Sequence, residues 1–179
     1  MKKIRFIELF AGIGGFRYGL EKASKGFKCI WANEINKHAC QIYRKNFGKR
    51  ELQEGDIKKI KAKDIPDHDL LTAGFPCQTF STQGKRLGFK DTRGTLFFDV
   101  ARIIKAKRPK YILLENVKGL LSHDKGKTFK VIVSTLTELG YDIQWQMLNS
   151  KYFGVPQSRE RVYIIGYFRG KGEQKILPL

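Results

Sequence analysis

Short apolar segments alternate with segments of helical periodicity along nearly the whole chain. The run Leu70-Leu71-Thr72-Ala73 has the length and composition of a buried strand. We predict strands over residues 4–10, 27–33, 69–73, 111–114, 141–149 and 161–167. Helices are predicted over residues 16–23, 37–47, 96–107 and 128–139. The helix at residues 37–47 would have Ala39, Ile42, Tyr43 and Phe47 on one face. Strands that alternate with helices in this way form a doubly wound, mostly parallel α/β sheet.

The size and charge of the chain narrow its class. Its 179 residues suit one domain with a proper core, and no apolar run reaches the roughly 20 residues that span a bilayer. The N-terminus has the pattern of a first strand rather than a secretory signal, so we expect a cytoplasmic protein. Lys and Arg number 35 against 17 Asp and Glu, a net charge of +18. This excess favours a polyanion such as nucleic acid, with acidic lipid or protein as alternatives.

The cysteines and histidines show no metal-binding pattern. Cys29 and Cys40 fall in a predicted strand and a predicted helix, so we expect both to be packing residues, and no C-x-x-C pair is present. The three histidines are far apart in sequence and are expected at the surface or at helix caps: His38, His68 and His123. We therefore predict no metal.

Cys77 occupies a different kind of position. It follows a proline in Gly74-Phe75-Pro76-Cys77-Gln78-Thr79-Phe80-Ser81, directly after a predicted strand. Ligands of open α/β sheets bind at the edge where strands end, so a thiol there is a candidate nucleophile. The alternative is that Cys77 is a small buried apolar residue.

A glycine turn, Gly12-Ile13-Gly14-Gly15, follows the first strand and precedes a helix. Glycines let the backbone approach a ligand closely. The dinucleotide pattern G-x-G-x-x-G would need a third glycine at position 17, where this chain has Arg17, which disfavours a pyrophosphate. Glu34 ends the second strand about 20 residues further on, where a carboxylate suits ribose hydroxyls.

Two further segments carry charged groups to strand ends. Glu115-Asn116-Val117 follows the strand at residues 111–114, and Gln157-Ser158-Arg159-Glu160-Arg161 precedes the last strand. Because residues i and i+2 of a strand share a face, Arg159 and Arg161 are expected to point the same way.

These four segments, in this order, resemble the DNA cytosine-5 methyltransferases, and most closely the bacterial enzymes of restriction–modification systems. The resemblance covers nearly the whole chain. It implies a Rossmann-like methyltransferase sheet to which the last two strands add an antiparallel edge. Residues 1–179 would form the catalytic domain, which transfers a methyl group from S-adenosylmethionine to C5 of cytosine in double-stranded DNA, in a nucleoid-associated, cytoplasmic protein.

The resemblance also assigns residues. Cys77 would add to C6 of a flipped cytosine, Glu115 would hold the N3 edge, Arg161 would contact the base carbonyl and orient Glu115, and Arg159 would support the site. The S-adenosylmethionine residues would be Phe10, Gly12, Ile13, Gly14, Gly15, Glu34, Ile35, Asp56, Ile57, Pro76 and Leu96. In a loop expected to close over DNA, Ser81, Lys85, Arg86 and Arg93 would lie near the nucleic acid.

Full-length members of this family continue with a target-recognition region and two further motifs that are not found in this sequence. We therefore expect a second chain to supply them, as in a split modification enzyme. Two alternatives stay open at the level of sequence: a catalytically silent DNA-binding or scaffold relative, and a tRNA cytosine methyltransferase-like protein. A nicotinamide-dependent dehydrogenase is disfavoured by Arg17 and the Pro-Cys-Gln loop.

Overall fold

A computed structural model describes residues 3–76 and 96–169. Within these residues, helices and strands alternate in the predicted order. Their bounds are β1 Ile4–Leu9, α1 Gly15–Ala23, β2 Phe27–Glu34, α2 Lys37–Phe47, β3 Leu52–Glu54, β4 Leu70–Ala73, α3 Leu96–Lys107, β5 Tyr111–Val117, α4 Lys127–Glu138, β6 Tyr141–Asn149 and β7 Glu160–Phe168. Short 3-10 turns occupy Ile57–Lys59, Ala62–Asp64, Lys118–Leu121, His123–Gly126 and Ser150–Phe153.

The described strands form one seven-stranded sheet in the order β3-β2-β1-β4-β5-β7-β6. Strands β1 to β5 pair in parallel, whereas β7 runs antiparallel to both β5 and β6. The predicted doubly wound, mostly parallel sheet with an antiparallel edge is confirmed. The central strand Leu70–Ala73 is buried at all four positions, as expected for a parallel strand that is covered on both faces.

The main core lies between one face of the sheet and helices α3 and α4. Ile7, Leu71 and Ile112 from the strands are fully buried against Ile104 of α3 and Leu136 of α4. Burying each such side chain contributes about 1.5–3 kcal/mol. Two smaller clusters on the opposite face anchor α1 and α2.

The buried face of α2 differs from the predicted one. Cys40 and Tyr43 are buried and Phe47 is partly buried, whereas Ile42 is exposed. The residues that pack follow i, i+3, i+7 spacing, and the hydroxyl of the buried tyrosine lies 3.2 Å from Arg17 Nη1. The prediction that Cys29 and Cys40 are buried packing residues is confirmed.

Glu8 of β1 is a buried carboxylate beneath the start of α1. It is 1% exposed, and its Oε1 accepts from the backbone N–H of Phe16 at 3.1 Å and of Arg17 at 3.4 Å. Within the described residues its Oε2 has no hydrogen-bond partner. Burial raises the pKa of Glu8 to about 7, although the two backbone donors and the Arg17 charge act in the opposite direction.

His68 was expected at the surface or at a helix cap, and this prediction is wrong. Its side chain is 6% exposed, in the segment before β4, and Nδ1 lies 2.8 Å from the carbonyl oxygen of Pro66. That bond assigns the proton to Nδ1, and Nε2 has no partner among residues 3–76 and 96–169. Burial lowers the pKa of His68 to about 4.

Glu8 and His68 make opposite contributions to the pH dependence of stability. The Glu8 contribution is fully present below about pH 4.5 and is lost as pH rises through about 7, because the folded state holds the proton more tightly. The His68 contribution is present above about pH 6.5 and is lost as pH falls through about 4. Each amounts to about 3 kcal/mol.

In Glu8→Gln only the His68 contribution remains, so we expect the free energy of unfolding to rise from pH 4 to 6.5. In His68→Asn only the Glu8 contribution remains, so we expect the free energy of unfolding to fall from pH 4.5 to 7. Urea unfolding of the two variants and the unmodified chain at several pH values measures both slopes. Parallel pH profiles in the two variants would contradict the assignment.

Candidate active site

The carboxyl ends of the parallel strands bring most of the described candidate residues to one edge of the sheet. The glycine turn follows β1, Glu34 ends β2, Pro76 lies three residues beyond β4, and Glu115 lies near the end of β5. Because β7 runs antiparallel to β5, its first residues lie at the same edge, where Arg161 pairs with Val117. This is the edge where ligands bind in open α/β sheets.

The glycine turn is tightly folded and packs on α2. Gly12 has φ 56° and Gly14 has φ 92°, a region that glycine enters without steric cost. The N–H of Gly14 donates to the carbonyl oxygen of Ala11 at 2.9 Å. A Cβ at Gly14 would overlap the ring of Phe47 and lie 3.1 Å from Tyr43, whereas a Cβ at Gly15 would meet nothing within 4 Å.

Arg17 stabilises the position of this turn through several contacts. It occupies the position where a dinucleotide motif would have its third glycine. Its Nη1 lies 3.4 Å from the Glu51 carboxylate, in addition to the Tyr43 contact, and its Nε lies 3.4 Å from Glu21. The guanidinium carbon lies 4.6 Å from the Phe47 ring centroid, a cation–π distance. Arg17 therefore fastens α1 to α2 and to the loop before β3.

Glu34 connects the glycine turn to the start of α2. Its Oε2 accepts from the N–H of Gly12 at 2.8 Å, and its Oε1 accepts from the N–H groups of Ile35 and Asn36, each at 2.8 Å. The hydrogen bonds by which this buried carboxylate holds the glycine turn and the start of α2 together were not predicted from the sequence. Each carboxylate oxygen can accept more than one hydrogen bond, so the bonds to the turn leave capacity for a ligand hydroxyl.

Exposed apolar residues follow each partner of the Gly12–Glu34 hydrogen bond in sequence. Ile13 is 54% exposed and Ile35 is 60% exposed. Asp56 caps the next 3-10 turn through the N–H of Lys58 at 3.0 Å. The side chain of Ile57 is buried in the main core, so a ligand at this edge would reach only its backbone. Phe10 and Leu96 are partly buried against the same core, and Pro76 is exposed.

Glu115 forms the charged centre of the edge with two arginines. Arg161 Nε lies 2.9 Å from Glu115 Oε1, and Arg159 Nη2 lies 3.9 Å from the same oxygen. The prediction that the two arginines point the same way agrees with these contacts. An ideal Cβ on Gly74 would lie 3.4 Å from Glu115 Oε2 and 4.0 Å from Phe16. Gly74 thus separates Glu115 from the helix that follows the glycine turn.

Asn116 anchors the backbone that leads to Cys77. Its Nδ2 donates to the carbonyl oxygen of Phe75 at 2.8 Å, and its Oδ1 accepts from the N–H of Val117. Cys77 itself lies outside the described residues, as do the expected DNA-contacting residues Ser81, Lys85, Arg86 and Arg93.

A cavity of about 260 Å³ opens beside the arginines. It is lined by Leu148, Ser150, Phe153, Arg159, Arg161 and Tyr163. Burial, followed by the Glu115 charge, raises the pKa of Tyr163, which keeps its phenol protonated. Sequence reasoning missed this aromatic lining. The signal for Tyr163 was its i+2 spacing from Arg161 on one face of β7.

Two features are missing from the described ranges, residues 3–76 and 96–169. These ranges contain no group of three or more His, Cys, Asp or Glu side chains placed to hold a metal ion. They also contain no helix long and apolar enough to cross a membrane.

A family model described as C-5 cytosine-specific DNA methylase matches residues 4–177. The chain belongs to this family. It is 56% identical to the type II methyltransferase M1.ScrFI of Lactococcus lactis subsp. cremoris over 167 residues, which cover 93% of this chain and 42% of that protein. It is 53% identical to the type II methyltransferase M.HhaI of Haemophilus parahaemolyticus over 162 residues, which cover 90% of this chain and 48% of that one.

Solved structures of methyltransferases are similar over the same region. The S. pombe Dnmt2 methyltransferase has a TM-score of 0.78 at 32% identity, over 97% of this chain and 54% of that one. A prophage-encoded putative DNA modification methyltransferase from E. coli has a TM-score of 0.77 at 26% identity, over 94% and 47%. The chain thus spans about half the length of these family members.

Gly14 and Gly15 make a matched pair for testing the packing of the turn. We expect Gly14→Ala to lower the unfolding free energy by about 2–4 kcal/mol, since it adds backbone strain and an overlap with Phe47. Gly15→Ala should change it by less than about 1 kcal/mol, because Gly15 begins α1 and has open space around it. Urea unfolding measures both, and equal losses would refute this account of the turn.

Proposed function

We propose that this chain transfers a methyl group from S-adenosylmethionine to C5 of cytosine in DNA. The observation that carries the proposal is the Glu115–Arg161 pair at the carboxyl edge, beside the Phe75-Pro76 backbone that precedes Cys77. Family membership supports the reaction class.

The residues near the glycine turn fit the cofactor. A nucleoside needs a carboxylate for its ribose hydroxyls and apolar surface for its base. Glu34 is bonded to the turn at Gly12, and the exposed Ile13 and Ile35 directly follow these two residues in sequence. The open space at Gly15 would let a ligand approach the backbone. We assign Asp56 and the backbone of Ile57 to the adenine end, and Phe10, Gly12, Gly14, Pro76 and Leu96 to the walls.

S-adenosylmethionine, when bound, supplies an electrophilic methyl group. Cytosine C5 is a poor nucleophile, and we assign its activation to the Cys77 thiolate. The thiolate forms a bond to C6, and the displaced electron pair makes C5 nucleophilic enough to take the methyl group as the methyl–sulfur bond breaks. Transfer of the C5 proton to a water molecule then expels the Cys77 thiolate and restores the ring. A cationic surrounding such as Arg161 favours the thiolate.

Glu115 and the arginines position the base in this proposal. The Glu115 side chain would hydrogen-bond the N3 edge and the exocyclic amine, and Arg161, which already touches Glu115, would fix its orientation. Arg159 would support the pair from a more exposed position. A base in a stacked duplex cannot reach these groups, so the target cytosine must be flipped out. Ser81, Lys85, Arg86 and Arg93 are proposed to hold the DNA around it.

The direct test measures transfer of labelled methyl from S-adenosylmethionine to mixed-sequence duplex DNA and, in a parallel reaction, to transfer RNA. We expect transfer by the unmodified chain and by Cys29→Ala, a variant of a buried packing cysteine, and none by Cys77→Ser. Transfer by Cys77→Ser at the unmodified rate would exclude the covalent step. No transfer by folded, cofactor-binding chain would favour a silent relative or a missing subunit, and label in transfer RNA alone would favour the RNA alternative.

A second prediction separates the base-holding role of Glu115 from folding. Glu115→Gln should lower methyl transfer about 100-fold or more and leave the calorimetric affinity for S-adenosylhomocysteine unchanged, because Glu115 is assigned to the base. Glu160→Gln is the matched control, since Glu160 is paired with the exposed Lys118 instead. Equal losses in the two variants would contradict the assignment.

A second polypeptide that supplies target recognition stays a prediction. Its support in the described residues is the exposed apolar surface around α1. Ile13 and Tyr18 are more than half exposed there, and no residue of α1 is buried.

A further inference from the structure

The segment at residues 150–159, here called the β6–β7 loop, carries solvent-exposed aromatic side chains. Residues 151–159 are exposed without interruption, including Tyr152 at 75% and Phe153 at 65%. Val155 is exposed beside them. Adjacent apolar side chains on a surface mark a place where something binds, since isolated ones are common but clusters are not.

Hydrogen bonds hold this exposed loop in a defined shape. Asn149, which is buried, accepts from the N–H of Lys151 at 3.2 Å and of Arg159 at 3.1 Å, and its Nδ2 donates to Ser158 Oγ. Ser150 joins the two ends through its N–H to the Arg159 carbonyl oxygen and its hydroxyl to the Gln157 carbonyl oxygen. A loop fastened at both ends presents its aromatic residues at little further entropic cost on binding.

The charges of the β6–β7 loop indicate what it binds. Its sequence contains Lys151 and Arg159 and no acidic residue. Lys151 Nζ lies 4.7 Å from the Tyr152 ring centroid, so cation and ring form one unit. Exposed rings interleaved with cations are the combination that binds unstacked nucleic acid, because the rings stack on bases and the cations meet phosphates.

The loop also touches the candidate active site. Phe153 lines the cavity together with Arg159 and Arg161, and Arg161 is bonded to Glu115. A strand whose base is held by Glu115 and Arg161 would therefore have the loop within reach of its neighbouring nucleotides.

We propose that the β6–β7 loop binds the unstacked nucleic-acid strand next to the target base. Tyr152 and Phe153 contact base faces, and Lys151 contacts a phosphate. This inference rests on the proposed function, since it names the strand segment that the same site must hold.

The test measures binding of a fluorescein-labelled, mixed-sequence single-stranded 12-nucleotide DNA across a salt series, with the purified chain. Tyr152→Ala and Phe153→Ala should each weaken binding about tenfold and leave the salt slope unchanged, because stacking is uncharged. Lys151→Ala should reduce the slope by about 0.7, the value for one phosphate contact on a single strand.

Tyr18→Ala is the matched control. Tyr18 is an exposed tyrosine on α1 with Lys22 Nζ 5.3 Å from its ring centroid, so it repeats the ring–cation unit away from the loop. It should bind the oligonucleotide like the unmodified chain. Urea unfolding of every variant should match that of the unmodified chain, because each altered side chain is exposed.

Three results would overturn the inference: aromatic loop variants that bind as the unmodified chain does, an equal loss in Tyr18→Ala, or an unmodified chain that binds no oligonucleotide. A loop that serves a protein partner would give the first of these. The proposed function is judged separately by S-adenosylhomocysteine binding and Cys77-dependent methyl transfer. A chain that passes those two measurements and shows unaltered aromatic variants refutes the loop assignment alone.

Discussion

The direction of β7 is the constraint on which the candidate site depends. Parallel strands all end at one edge of the sheet. The shared direction of β1, β2 and β5 is therefore enough to place the glycine turn, Glu34 and Glu115 at that edge. A final parallel strand would have begun at the opposite edge. Because β7 is antiparallel, its first residues lie beside the last residues of β5, and Arg161 reaches Glu115 at 2.9 Å.

The glycine turn depends on polar groups that are themselves costly to bury. Glu8 lies below the first turn of α1 with one oxygen unpartnered among the described residues, and Arg17 spans from α1 to Tyr43 and Glu51. An apolar cluster at this position would be less demanding. The polar arrangement instead specifies direction, because Glu8 accepts from the backbone N–H groups of Phe16 and Arg17 in only one orientation of α1.

The order of the elements was predictable from the sequence, since strand and helix periodicities differ along the whole chain. Helices α2 and α3 and strand β6 have the bounds that their periodicity predicts. β5 extends past the predicted end to Val117, because its last residues pair with β7, a contact that no local pattern reveals. The burial of His68 and the packed face of α2 were missed for the same reason.

The candidate site was predictable where residue type and strand end coincide, as at Glu34 and Glu115. The roles of Arg17 and Asn116 were not, because they arise from partners distant in sequence: Tyr43 and Glu51 for the arginine, and Phe75 for the asparagine. The hydrogen bond from Asn116 to the Phe75 carbonyl has a mechanical consequence. It couples the backbone at Phe75 to β5, the strand that carries Glu115, so a displacement of β5 moves Glu115 and the Phe75 backbone together.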